Sequence, residues 1–558
     1  MGGLNRRGFA RVSLAALAAG CANIPVRGDD EWELILHGGP IYTGVESTPR
    51  VEAVRISAGR IAYLGSLEEA RARSHTARVI NLNGAAAFPG FVDAHCHLSG
   101  VGMAALLLDL VGTVSVAELS QRLRDYAREH RDGPIVGRGW IETHWPEGRF
   151  PTRADLDAVV ADRPVFLERI DGHAAVVNSA ALALAGITNA TPNPEGGRIE
   201  RDATGAATGM LIDNATALVE RRLPQPSDSM RRAALLEGTR IYARRGWVGA
   251  HNMSTSAEEA ALFTAFAADG TLPIHANLYM DPRGADQVFQ RGPYADATGL
   301  VNVRGVKCYA DGALGSRGAA LLAPYSDAPG NGLNVTPPAE LREIYARARQ
   351  RRVQVTTHAI GDRGNRETID AYEDIWRNDR GGLQRARWRI EHAQILSPQD
   401  IPRFARFGII ASMQPSHAIS DLYFAPARLG PQRLVGAYAW NSLLRSGAVV
   451  CAGSDAPVEK GDPLIEFYAA TYRHDLQGNA GPDWHLEEAV SRQQALAMLT
   501  AAPAFAGFQE LERGTLEVGK RADVSVFSAD LMTADFALFP QASAVLTIAD
   551  GKITHEAL

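Results

Sequence analysis

The sequence predicts an α/β protein: a (β/α)8 TIM-type barrel, a small β-sandwich domain built from both chain ends, and a subdomain inserted between barrel strands 1 and 2. Three observations predict it. Short apolar runs alternate with helical stretches from residue 89 to about 504, the grammar of a parallel barrel. Several of these runs end on a polar residue followed by Gly, Ser or Asp, as barrel strands do where they deliver side chains to the rim. The two chain ends share a different texture, short alternating strands cut by glycine turns.

Residues 30–88 carry ELILHGGPIYTG, AVRISAGRIAYLG and ARVINLNGAAAFPG, and residues 505–558 carry GTLEVGKRADVSVFSAD and ASAVLTIADGKITHE. Neither end holds a convergent polar set, so their joint sandwich reads as structural. Between them the barrel strands fall at about 91–97, 246–251, 273–280, 301–309, 353–358, 387–393, 408–414 and 448–455. Helical signals fill the gaps. After His392, Ser397-Pro398-Gln399-Asp400 spells an N-cap, a proline at N1 and an acid at N3. The gap between strands 1 and 2 is about 150 residues, where such loops usually take about 2 to 6, so it holds the inserted subdomain at about 105–235. Within it Leu119, Leu123 and Tyr126 recur at helical spacing before Gly133. GGRIERDATGAATGML reads as a hairpin, and ERIDGHAAVVNSAALALAGI as strand, loop and helix. An insertion leaving from the C-terminal rim covers the barrel mouth.

The polar residues at the strand ends are His95, His97, Lys307, His358, His392 and Asp455, in FVDAHCH, NVRGVKCYADG, RVQVTTHAIGD, ARWRIEHAQI and AVVCAGSDAP. In a strand, residues i and i+2 face one side and i+1 the other. His95 and His97 therefore converge while Cys96 points away, Lys307 faces the mouth while Cys308 turns to the helices, and Asp455, Gly453 and Cys451 share a face. Taken singly, each has an ordinary role: a His-x-His on a surface strand, Lys307 paired with Asp311, Asp455 capping the next helix. Together, several imidazoles and a carboxylate suit zinc or a similar divalent ion, one or two per chain.

With those residues in place, the chain resembles the amidohydrolase superfamily, and within it the third amidohydrolase family, which includes N-substituted formamide deformylase. The segments that carry the resemblance are PGFVDAHCHL, DGHAAVVNSAAL, VKCYADGALGSRGAAL, THAIGDRGN, RIEHAQIL, SMQPSHAISD and GSDAPVE, spanning residues 89–459. The resemblance implies a metal-activated water that hydrolyses C–N bonds, on a (β/α)8 barrel flanked by a small β-sandwich. Lys307 has the wrong sign for a cation site. Carboxylation by CO2 would make it an anionic bridge between two ions, which the resemblance supports; His95 and His97 then serve one ion, His358 and His392 the other. Asp455 is the expected proton carrier, accepting from the attacking water and passing to the departing nitrogen. Trp140, His173, Arg317 and His417 are the expected substrate contacts. The DGH segment continues AAVVNS where relatives carry a bulkier residue, a departure that bears on substrate identity.

At 558 residues with 46% hydrophobic content the chain can bury a large core in three structural units. The net charge of −6 is interspersed, with no basic block and interleaved aromatics, so nucleic acid has no electrostatic footing as a partner. The partner is a small-molecule substrate, and nothing in the sequence sets an oligomeric state. Residues 1–24 read as an export signal: basic start, apolar Val12–Ala19, small residues before Cys21. Arg6 and Arg7 resemble a twin-arginine motif, and Ala19-Gly20-Cys21 a lipoprotein cleavage site. That predicts a periplasmic or cell-envelope lipoprotein touching the membrane through lipid on Cys21, since the apolar stretch is too short to span a bilayer. Cys96, Cys308 and Cys451 remain after processing, all in barrel strands, so stability rests on the core rather than on disulfides. Two other functions use the same residues: a metal-dependent hydrolase of an ester, lactone or phosphoester, and an envelope binding or regulatory protein without turnover. Fold alone does not separate the hydrolases.

Overall fold

The computed structural model describes residues 33–224, 227–481 and 483–558. The expected export signal, with Cys21, lies outside the described residues.

The central sheet carries eight parallel strands, β1 (Phe91–Cys96), β2 (Trp247–Thr255), β3 (His275–Met280), β4 (Val301–Tyr309), β5 (Gln354–Ala359), β6 (Arg389–His392), β7 (Ile410–Met413) and β8 (Val450–Ala452), with the short Tyr294–Ala295 strand antiparallel to β4. They pair in sequence order from β1 to β8. The sheet nearly closes on itself without a ladder between β8 and β1. Instead the amide of Asp455 donates to the His95 carbonyl at 2.7 Å, and that of His97 to the Ala456 carbonyl at 2.8 Å. Gly453 makes the approach feasible, because a Cβ there would sit 2.4 Å from the His95 nitrogen.

Helices pack outside the strands and are started by the residues the chain supplies locally. Ser227 caps Asp228–Arg245 by accepting from Met230 N, and Ser256 caps Ala257–Ala268 by accepting from Glu259 N. The expected start at Ser397 shifts. Residues 398–400 form a turn, and the helix is Ile401–Phe407. The Ser397 hydroxyl is taken by the Gln399 side chain, and the Asp400 carboxylate by Arg403 and Arg366, so neither is left to cap at the expected place.

The chain ends meet in one eight-stranded sheet, with the Val524–Phe527 strand antiparallel to Ala86–Pro89. Leu36, Val54 and Ile80 from one end share an apolar core with Val526, Leu546 and Ile548 from the other. The segment between β1 and β2 builds a separate six-stranded sheet from Leu108–Asp109 to Ala207–Asp213. It includes the antiparallel pair Gly197–Arg201 and Ala207–Asp213 where a hairpin is expected, and the helix Val116–Glu129 that buries Leu119 and Leu123. No helix among the described residues is long and apolar enough to cross a membrane.

Candidate active site

The six polar residues of the strand ends come together at the C-terminal rim. His95 is fully buried on β1; its ring centroid lies 5.5 Å from that of His97 and 4.9 Å from that of His392, and His392 lies 4.5 Å from His358. The Oδ1 atom of Asp455 is 3.3 Å from Nε2 of both His95 and His97. Lys307 Nζ lies 3.2 Å from His95 Nε2. Ligand atoms of His95, His392 and Asp455 all fall within 4.8 Å of one another. The sequence grouped His95 with His97 and His392 with His358; in space His392 belongs equally with His95.

Strand alternation explains most of this convergence and fails at two residues. On β6 it sends Arg389 and Glu391 into the barrel and His392 outward. The left-handed backbone at His392, φ 71°, swings its ring back to the rim. Asp455 stands three residues beyond β8 and also has a left-handed backbone, φ 59°. It caps nothing: the next helix starts at Pro463 and Asp462 is its cap, accepting from Leu464 N. Lys307 does not pair with Asp311, whose carboxylate accepts the amides of Ala320, Ile360 and Gly361 at 2.8–2.9 Å.

Two cavities meet at His358, His392 and Asp455. His173, from the insertion, borders both, its ring 5.3 Å from that of His358. His417 borders one, with Nε2 3.8 Å from Asp455 Oδ2 and no hydrogen-bond partner. The other two expected substrate contacts lie elsewhere. Trp140 is fully buried in the insertion's own core, its indole N–H donating to the Leu167 carbonyl at 2.8 Å. Arg317 is held outside both cavities by Asp327, at 2.9 and 3.2 Å. Motif proximity put both near the site, but a large ring finds apolar packing and a guanidinium finds the nearest carboxylate.

The amidohydrolase family matches this chain over residues 78–555. The chain belongs to the amidohydrolase family. Membership makes it a hydrolase of the amidohydrolase type. YtcJ of Bacillus subtilis (strain 168), described as an amidohydrolase, is 35% identical over 94% of this chain and 99% of its own. N-substituted formamide deformylase of Arthrobacter pascens is 29% identical over 90% of this chain and 95% of its own. Among solved structures, an uncharacterized metal-dependent hydrolase from Pyrococcus horikoshii OT3 superposes with a TM-score of 0.73 at 27% identity, covering 90% of this chain and 99% of that one.

Residues that the sequence reading overlooked orient the donors of this amidohydrolase. His95 Nδ1 is 2.6 Å from a Glu391 oxygen, and Arg389 grips the same carboxylate at 2.8 and 2.9 Å. His392 Nδ1 is 2.8 Å from Gln414 Oε1. With Nδ1 engaged in both rings, each presents Nε2 to the centre, the arrangement that outer partners impose on metal-binding imidazoles. An inward-facing Arg-x-Glu in a barrel strand, visible in RIEH, was the available signal for Glu391. Gln414 had none, since its role depends on a partner one strand away.

Burial drives His358 and His392 well below the ordinary imidazole value, so both are neutral donors. For Asp455 burial works the other way, but the neighbouring His95, His97 and His392 outweigh it and hold the carboxyl well below its usual range. Burial lowers the Lys307 amine to about 8. Neutral imidazoles around an ionised carboxylate, with His417 Nε2 buried and unpartnered beside them, fit a divalent ion.

His173 behaves differently. Burial opposes its charge, but the Asp213 carboxylate, 2.7 Å from Nδ1, raises it to about 9. A histidine so raised contributes stability that is full below the ordinary 6.5 and is lost as pH rises through about 9. Asp213→Asn is expected to bring the His173 titration, followed by NMR of its ring, to the ordinary value or below. A midpoint still near 9 would assign the effect to another group.

Proposed function

We propose that this amidohydrolase cleaves the C–N bond of an amide, formamide or cyclic amide of a small molecule with a metal-activated water. The observation that carries the reading is the convergence of His95, His392 and Asp455 at the rim of the barrel, with His97, His358 and Lys307 around them. Zinc or a similar divalent ion, one or a pair, would be held by these donors; when bound it supplies Lewis acidity and makes hydroxide available near pH ~7. Asp455, ionised at the centre, takes the proton of the attacking water and returns it to the departing nitrogen, which leaves poorly unless protonated. Glu391 and Gln414 keep His95 and His392 in the productive orientation. His173, a cation beside His358, and His417, a neutral ring beside Asp455, contact the substrate. A hydrolysis screen of the metal-loaded protein against N-acyl, N-formyl, cyclic amide and ester panels tests this. Turnover confined to esters would overturn it.

Lys307 is proposed to carry CO2 as a carbamate, since an amine among metal donors has the wrong sign until CO2 adds to it and a proton leaves. Lys307→Ala is expected to lose turnover together with at least one metal per chain. Elemental analysis beside rate measurements decides; full metal content with normal turnover removes Lys307 from the site.

The reading extends to domains and location. The two-ended sheet is taken as a β-sandwich of residues 30–88 and 505–558, and the segment of about 105–235 as a lid whose His173 reaches the barrel mouth. We place the protein outside the cytoplasm, tethered by lipid on Cys21 after removal of the preceding residues. Mass spectrometry of the membrane fraction is expected to find the mature chain starting at a lipidated Cys21. An intact Met1 on cytoplasmic protein would refute it.

A further inference from the structure

The two cavities that meet at the catalytic cluster differ in charge. In the one beneath the insertion, cations and anions answer each other: Arg138 pairs with Glu168 and Arg283 with Asp281, both at 3.1 Å. The other is walled by Ile141, Leu314, Ile360, Phe424 and Val458, and into this apolar recess project Asp421 and Glu459. Arg169 and His173 line it too, but both are already paired: the guanidinium is held by Glu142 at 2.9 Å and Asp171 at 2.5 Å, and the His173 ring by Asp213 at 2.7 Å.

Among the described residues neither Asp421 nor Glu459 forms an ion pair. Their partners are neutral. Asp421 accepts from the Tyr438 hydroxyl at 2.6 Å and from Gln394 Nε2 at 2.8 Å, and Glu459 accepts from the Ser420 hydroxyl. A carboxylate in an apolar recess is costly unless a cation compensates it. Burial accordingly pushes Asp421 up to about 8 and Glu459 up to about 7. His417 lines the same recess; it is 8% exposed, and its Nε2, 3.8 Å from Asp455 Oδ2, has no hydrogen-bond partner.

We propose that this recess receives an ammonium group of the substrate, so that the enzyme selects amides bearing a positive charge on a short apolar chain. Asp421 and Glu459 hold the ammonium, the apolar wall takes the chain, and the amide reaches Asp455 at the junction of the cavities. The inference rests on the amide-hydrolase reading and adds which amides fit.

Three formamides of similar length separate the alternatives on the metal-loaded enzyme: mono-N-formylputrescine, neutral N-pentylformamide and anionic N-formyl-β-alanine. At neutral pH kcat/KM is expected to be on the order of tenfold or more higher for the ammonium than for the neutral compound, and lowest for the anion. In the isosteric variants Asp421→Asn and Glu459→Gln, the ratio of cationic to neutral kcat/KM should fall toward one through KM. Calorimetry gives a readout without turnover: pentylamine should bind more tightly than pentanol, and the variants should lose the difference. Equal or reversed preference in both measurements overturns the inference while hydrolysis of the neutral formamide stands. Binding of pentylamine with no formamide hydrolysed, and no turnover of N-acyl or cyclic amides either, would sink the amide reading and leave the cation site.

Discussion

Asp455→Asn is expected to lower kcat by about 10² to 10⁴, the usual worth of a positioned proton transfer. The substitution keeps the shape of the side chain and one oxygen within reach of His95 and His97, which now stand 3.3 Å from Oδ1. It removes the carboxylate proposed to accept the proton. The remaining donors are untouched, and His95 and His392 stay clamped by Glu391 and Gln414, so most of the metal should be retained. A cap residue would behave otherwise, costing about 1 kcal/mol of stability and little activity, but Asp462 occupies that role. Measuring kcat, metal content and melting temperature on the one variant separates the outcomes, and near-normal turnover would refute the assignment.

The barrel was legible because its strands are short apolar runs that end on polar residues, and the expected positions of β1 to β7 lie within about two residues of the observed ones except at the end of β2, which runs on to Thr255. The converging polar residues were legible for the same reason: alternation aims His95, Lys307 and His358 at the mouth. His392 reaches the rim for a reason that alternation does not contain, since only its left-handed backbone turns the ring inward. What the sequence could not supply were facts about distance across the fold. Glu391 supports His95 from a residue 296 positions away, and Gln414 supports His392 from the neighbouring strand. Trp140 and Arg317 show the converse. Each sits in a motif that runs toward the site, yet the local search for apolar packing or for a carboxylate settles where its side chain ends.

Removing the guanidinium beneath the site by Arg389→Met is expected to destabilise the fold by about 3–5 kcal/mol, the cost of stranding one partner of a buried ion pair. Arg389 is fully buried inside the barrel, where it holds Glu391 twice and also donates to the Ala94 carbonyl and the Ser412 hydroxyl, both at 2.7 Å. It thereby ties β6 to β1 and β7. Burial alone would raise Glu391; the charge of Arg389 outweighs it and lowers the carboxyl to about 2. A carboxyl so depressed contributes stability above its ordinary value of 4.5 and loses it only as pH falls toward 2. The variant should therefore unfold in denaturant more easily at neutral pH and give way to acid earlier than the parent. Adding Glu391→Gln removes the stranded charge and should restore much of the stability. It should not restore metal binding, because the carboxylate that fixes His95 is gone, and loss of such an outer partner typically costs about 10- to 100-fold in affinity. Stability regained with metal affinity still depressed would assign Arg389 to the fold and Glu391 to the site. Unchanged unfolding of Arg389→Met would mean that the pair does not hold the fold.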